Sequence, residues 1–276
     1  EKTSLHNLEM IIEKTVVGHQ DQLKILHRNY EKKFPHAWIF NGIKGIGKYT
    51  TAINFINNVN KTKIGSAQNF FEINSQENLA SIDDVRNLIN QINLTNANEN
   101  QKCFIVIDNS DYLNFNSYNA LLKTIEEPPS NTVIILICHN INKIPKTILS
   151  RCIKLEFKPL NKKQITLFCD NNNINYEGYN LEENYYFING SIEKLYHFIS
   201  EEGKVVREFF KKHTLDRKMK HSEFEAFYEQ VNKNYEKYFS IIINYLFLIQ
   251  KKRYVKYHDN KLFLRKILIF FSNIEL

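Results

Sequence analysis

Over its first 157 residues the chain alternates between two patterns. Runs that are apolar at nearly every position fall at 37–40, 102–108 and 132–138, and 69–73 reads as a further short strand. Between them lie longer stretches whose apolar residues recur at helical spacing. Uninterrupted apolar runs of this length suit strands buried on both faces, as in a parallel sheet. The clearest helical stretch carries Ile82, Val85, Leu88, Ile89 and Ile92, with Asp83 and Asp84 in its first turn. Negative charge is favoured there by the helix dipole. Ile53, Phe55 and Ile56 predict a helix over 50–59. Ala120, Leu121, Leu122 and Ile125 predict another over 116–127, stopped by Pro128-Pro129. Residues 148–157 read as a short helix end followed by a strand.

Strands alternating with helices predict an α/β domain with a parallel sheet. After Lys158-Pro159-Leu160 the pattern changes to helical periodicity without a persuasive strand, and Glu201-Glu202-Gly203 marks a further break. The predicted fold class is therefore α/β plus all-α, in three segments. These are a parallel-sheet domain over 1–158, a small helical lid over 159–203 and a C-terminal helical domain over 204–276.

Composition narrows the class. A chain of 276 residues that is 43% hydrophobic and 13% aromatic can bury cores and is not disordered. The formal net charge of +7 is compatible with contact to nucleic acid phosphates, and equally with an ordinary Lys-rich surface. Residues 1–13 lack the charged-then-apolar order of a signal peptide. The most apolar run, 241–249, is about half the length a bilayer crossing needs, and Lys251, Lys252 and Arg253 follow it. A buried helix is expected there, in a soluble, cytoplasmic protein without a membrane partner. Cys103, Cys138, Cys152 and Cys169 form no Cys-x-x-Cys pair, so neither a zinc site nor a disulfide framework is expected. They read as small buried residues.

The candidate chemistry begins where the first strand ends. Gly42-Ile43-Lys44-Gly45-Ile46-Gly47-Lys48-Tyr49 nearly matches the phosphate-binding loop G-x-x-x-x-G-K-[ST], with a strand before it and a helix after it. Gly42, Gly45 and Gly47 would let backbone N–H groups face phosphate oxygens, the helix N-terminus would add positive potential, and Lys48 would reach the outer phosphates. The last position of the motif departs from it. A small hydroxyl should hold Mg²⁺ there, and Tyr49 carries its oxygen far out on a rigid ring. Thr50 comes one residue late, about 100° around the helix. Asp108 ends its strand where P-loop ATPases keep their metal-linked acid, but Asn109 follows it and cannot act as a general base. Hydrolysis at this site is expected to be negligible. Two readings stay open: an altered loop that only holds the fold, and ATP or ADP bound without turnover. No cofactor is required by either, and no metal site is assigned. Ser150-Arg151-Cys152 lies between a short helix and a strand. From spacing alone Arg151 reads as a surface arginine with a local acidic partner.

Four segments together resemble the delta-prime class of bacterial DNA polymerase III clamp-loader subunits, within the AAA+ family. They are Val17-Gly18-His19-Gln20, Pro35-His36-Ala37-Trp38-Ile39-Phe40, the stretch from Asn119 through Leu121-Leu122-Lys123-Thr124-Ile125-Glu126-Glu127 to Pro128-Pro129, and Ile148-Leu149-Ser150-Arg151-Cys152. The resemblance spans about the first 160 residues. It implies a RecA-like AAA+ domain, a helical lid and a helical collar that holds a five-subunit ring together. It further implies a stator without ATPase activity of its own, partnered by gamma/tau and delta subunits, which helps load the sliding clamp onto primed DNA. Arg151 would then be an arginine finger completing the ATP site of a neighbouring gamma/tau subunit. There are departures from the family pattern. Residues 57–75 have no Cys, so the four-cysteine zinc module of many relatives is missing. Gly190-Ser191-Ile192-Glu193-Lys194 puts Lys194 where some relatives hold a nucleotide-sensing Arg. The polar sensor after the strand at 132–138 is either His139 or Asn140.

Two other readings compete. An active gamma/tau-type ATPase shares the Glu-Glu-Pro-Pro and Ser-Arg-Cys segments, but Tyr49, Asn109 and the missing cysteines oppose it. A stand-alone nucleic-acid-binding protein would rest on the net charge and on Lys211-Lys212-His213 and Lys251-Lys252-Arg253, which suit solvated helix faces as well.

Overall fold

The computed structural model describes residues 16–32, 34–60, 69–74, 82–94, 102–176, 181–213, 221–232, 238 and 241–243. Five parallel strands form one sheet: β1 (Ala37–Asn41), β2 (Phe70–Asn74), β3 (Cys103–Asp108), β4 (Thr132–Cys138) and β5 (Ile153–Glu156). Their order across the sheet is β2-β3-β4-β1-β5. Connecting them are α1 (Gln20–Tyr30), which precedes β1, then α2 (Lys48–Asn60), α3 (Ile82–Leu94), α4 (Phe115–Glu126) and α5 (Lys146–Leu149). After β5 comes α6 (Lys162–Asn171).

The uninterrupted apolar runs are explained by burial on both faces. Successive strand side chains point to opposite sides. Ala37, Ile39, Ile105, Ile107, Ile134 and Leu136 face one core together with residues of α3, α4 and α5. Trp38, Phe40, Phe104, Val106, Val133 and Ile135 face the other, against α1 and α2. All four cysteines are free and buried. Burial pushes the thiol of Cys103 up to about 11 and that of Cys138 to about 12, so both stay protonated as small core residues.

The strand order also assembles the site. β4 lies between β1 and β3, with Asn41 level with Cys138 and Ile107 level with Leu136. The carboxyl ends of three adjacent strands therefore deliver Gly42, Asn109 and His139 to one edge, where open α/β sheets bind ligands.

The chain divides into two compact units. The α/β unit takes in residues 1–174 and also 190–192, so it extends beyond the expected limit at 158 to include α6. Asn161 starts α6 with a capping box to Gln164. The second unit comprises 175–189 and 193–276 and runs through residue 203 without a division there. Its described helices are α7 (Leu181–Ile188), α8 (Ile192–Ile199), α9 (Glu201–His213) and α10 (His221–Asn232). Glu201 and Glu202 form the first turn of α9, which Ser200 caps by accepting the Gly203 N–H at 3.0 Å. Phe187 stacks on Phe198, and Phe209 on Phe227. Of the apolar run 241–249, residues 241–243 are helical; the remainder, with Lys251, Lys252 and Arg253, lies outside the described residues. No helix among the described residues is long and apolar enough to cross a membrane.

Candidate functional site

Residues 42–47 form a loop between β1 and α2, with Gly45 and Gly47 in the left-handed region at φ 75° and 95°. Every carbonyl of the loop has a partner. Gly42 and Ile43 accept from the Lys48 ammonium at 2.6 and 2.7 Å. Lys44 accepts from the Ser191 hydroxyl at 2.9 Å, and Gly45 from the Ile192 N–H at 2.7 Å. Ile46 accepts from His19 Nε2 at 2.7 Å, and Gly47 from the N–H and hydroxyl of Thr51. In a trans peptide the C=O and the following N–H point opposite ways. Carbonyls bound outward to Ser191, Ile192 and His19 thus turn the N–H groups of residues 45–47 away from those partners, as an anion cradle requires.

Lys48 is nevertheless turned inward on its own protein. It is 3% exposed, and its third acceptor is His139 Nδ1 at 2.9 Å. His139 Nε2 lies 2.6 Å from Asn109 Oδ1. One tautomer satisfies both contacts: Nδ1 accepts from Lys48 and Nε2–H donates to Asn109. A chain of hydrogen bonds thus runs from the P-loop lysine through His139 to the residue that replaces the catalytic base. Asn140 points elsewhere, its side chain accepting from Asn142 N in the next turn. Of the two sensor candidates, His139 is the one in the site. Asp111 fixes this corner by accepting from the N–H groups of His139 and Asn140 at 3.1 and 3.2 Å.

Asp108 is 8% exposed and accepts from the Asn109 N–H at 2.8 Å. Burial raises its pKa and outweighs the lowering by that hydrogen bond and by Lys48 and Lys44. Asn109 has φ 53°, and Asn enters the left-handed region more readily than Glu does. Tyr49 turns away from the loop and donates to Glu72 Oε2 on β2 at 2.5 Å. Burial and that carboxylate raise the phenol's pKa, so it keeps its proton. Thr50 is exposed, and the buried hydroxyl in the first turn belongs to Thr51. Among the described residues the motif's metal position is held by Tyr49, whose hydroxyl is bound to Glu72, so this residue does not fit the role of a Mg²⁺ ligand.

His19 was not singled out for a role by sequence reasoning. It adopts φ 61°, is buried against Phe157, and braces Ile46. Desolvation lowers its pKa more than the Ile46 carbonyl raises it, so the ring is neutral at pH 7. Its signal lay in the Val17–Gln20 segment, which pattern alone does not connect to the loop. Truncating His139 to Ala would remove the ring that lies 2.6 Å from the side-chain Oδ1 of Asn109, a residue 3% exposed. The expected result is a loss of about 1–3 kcal/mol in unfolding free energy. Urea unfolding followed by the fluorescence of Trp38, the only tryptophan and buried in β1, measures it.

Arg151 lies between α5 and β5. Its Nη2 pairs with Glu126 Oε1 at 2.7 Å, and its Nη1 donates to the Thr147 carbonyl at 2.9 Å and to Ser150 Oγ at 3.2 Å. The local acidic partner anticipated from the sequence is therefore present.

Comparison with known proteins agrees with this architecture. Residues 57–161 match the family described as DNA polymerase III, delta subunit. The chain is 32% identical over 168 residues to DNA polymerase III subunit tau of Bacillus subtilis, covering 54% of this chain and 30% of that protein. It is 30% identical over 187 residues to the replication factor C small subunit of Methanococcus vannielii, covering 65% and 58%. The aligned part spans less than half the length of the tau and gamma relatives it matches. A DNA polymerase III gamma subunit-related protein from Thermotoga maritima shares the fold, with a TM-score of 0.60, 19% identity and 92% of each chain covered. With the phosphate loop at the end of β1 and the acid at the end of β3, the α/β part of this chain is similar to the DNA polymerase III clamp-loader subunits, through residues 57–161 and through its likeness to tau and gamma.

Proposed function

We propose that this chain is a non-catalytic stator of the delta-prime type in a bacterial replicative clamp loader. It would act in the cytoplasm, assembled with gamma/tau and delta subunits, and help place the sliding clamp on primed DNA. In this reading the α/β unit continues into a helical lid and a C-terminal collar that joins the ring. Arg151 would complete the ATP site of a neighbouring gamma/tau subunit.

One observation carries the reading. The P-loop lysine, which would contact phosphate in an ATPase, is bound to two carbonyls of its own loop and to His139, and His139 in turn occupies the residue that replaces the base. The second reading, a gamma/tau-type ATPase, is favoured by the 32% identity to tau. It lacks a group to polarise water and a hydroxyl to hold the metal.

The test is ATP hydrolysis and ATP binding by the purified chain alone with Mg²⁺. No turnover is expected. Lys48-dependent turnover would replace the stator reading with the ATPase one. The double change Tyr49→Thr, Asn109→Glu is expected to stay inactive as well. A Glu at position 109 would have to enter the left-handed region, and His139 would still hold Lys48.

A further inference from the structure

We propose that Glu126 is the positioning residue for Arg151, holding the guanidinium in the orientation that a neighbouring γ-phosphate would meet. This inference rests on the stator reading above. Arg151 is anchored from three sides: by Glu126 at the end of α4, by the Thr147 carbonyl of α5 and by Ser150 Oγ. A guanidinium has five N–H donors. The three contacts use both hydrogens of Nη1 and one of Nη2, leaving Nε–H and the second Nη2–H for an outside anion. Such a planar fork suits phosphate oxygens.

The anchors are themselves fixed. Ile125 and Cys152, the chain neighbours of Glu126 and Arg151, sit in one core cluster with Ala37 and Ile148. His36 Nε2–H donates to the Ile125 carbonyl at 2.9 Å, tying the end of α4 to the segment that enters β1. Glu126 is the last residue of α4, immediately before the stop made by Glu127 and Pro128-Pro129. The segments around His36, Glu126 and Arg151 thus meet at the end of α4. The pair itself is solvent-accessible, with 40% and 47% of the two side chains exposed. An exposed ion pair adds little stability. What it does supply is a fixed direction for a long, otherwise mobile side chain. An arginine already oriented before the phosphate arrives loses less entropy in reaching the transition state.

The experiment is a double-mutant cycle in the full clamp-loader assembly, reconstituted with the gamma/tau and delta subunits of the same organism and primed DNA. Assembly is checked by size-exclusion chromatography. Glu126→Ala is expected to lower kcat for ATP about tenfold at unchanged KM, and to have no further effect on the Arg151→Ala background. Glu126→Gln, which keeps an oxygen acceptor for Nη2, restores most of the rate. Wild-type turnover in Glu126→Ala, with Arg151→Ala impaired, overturns the positioning role and leaves the stator reading standing. A Glu126→Ala loss of equal size on the Arg151→Ala background also overturns it, because Glu126 then acts through something other than Arg151. Wild-type turnover in Arg151→Ala removes the finger and the positioning role with it.

Discussion

On the proposed stator reading, replacing Arg151 by Ala in the reconstituted assembly is expected to lower ATP turnover at the neighbouring subunit by about a thousandfold or more, the range over which arginine fingers act. The ring itself should still assemble. Arg151 lies on the surface beside α5, and its partners are one carboxylate, one carbonyl and one hydroxyl, all exposed. Its removal leaves no buried group unpaired, so folding loses little. In that reading the rate would depend instead on a positive charge placed where the γ-phosphate gathers negative charge. Arg151→Lys recovers only part of the loss, because an ammonium cannot keep the Glu126 and Thr147 contacts and reach outward at the same time. The check is steady-state ATPase with DNA, together with the elution position of the complex. Wild-type turnover in Arg151→Ala would show that the neighbour's site is complete without this chain.

The second large effect is on stability and comes from Gly190. This residue has φ 71°, and a Cβ there would lie 2.5 Å from the Leu160 carbonyl oxygen, 2.6 Å from the Leu160 nitrogen and 2.6 Å from Pro159 Cβ. A left-handed Ala alone costs about 1–2 kcal/mol. The clash adds to it, because two of the three atoms are backbone and Leu160 N–H already donates to the Gly190 carbonyl at 3.1 Å. Shifting the segment to make room would pull Ser191 and Ile192 off the carbonyls of Lys44 and Gly45. Gly190→Ala should therefore cost about 3–5 kcal/mol, in the range of severe single substitutions. Gly47→Ala is the matched control. Its φ of 95° is also strained, but the nearest atom to an added Cβ is His19 Cδ2 at 3.9 Å, so only the backbone term of about 1–2 kcal/mol applies. Urea unfolding read by Trp38 compares the two. Equal losses would mean that the segment moves freely and does not brace the loop.

The strands and the loop were legible because local burial wrote them into the sequence. The runs at 103–107 and 133–138 are apolar throughout, since β3 and β4 are covered on both faces. The glycine spacing around Lys48 marks a strand-to-helix turn, and Tyr49 and Asn109 are visible as missing chemistry without any coordinates. The helical second half was legible only as a class. There the periodicity gave helices but not their grouping, and α6 joins the α/β unit although its sequence reads like that of its helical neighbours.

What each altered side chain does instead was not legible. Lys48 and His139 are 91 positions apart, and Ser191 and Lys44 147 apart. Nothing in the spacing of the chain selects those partners. They meet because β4 inserts between β1 and β3 and because residues 190–192 return to the loop. The same holds for Glu126 and Arg151, whose meeting depends on where α4 stops and where β5 begins. The sequence by itself determined the parallel α/β layout, the phosphate loop and the loss of its hydroxyl and base, because solvent exclusion and backbone sterics act on neighbours along the chain. Only the tertiary structure decided that Lys48 is held by His139, that Tyr49 turns to Glu72 and that Arg151 is oriented by Glu126, because partners across the sheet are set by strand order and side-chain packing.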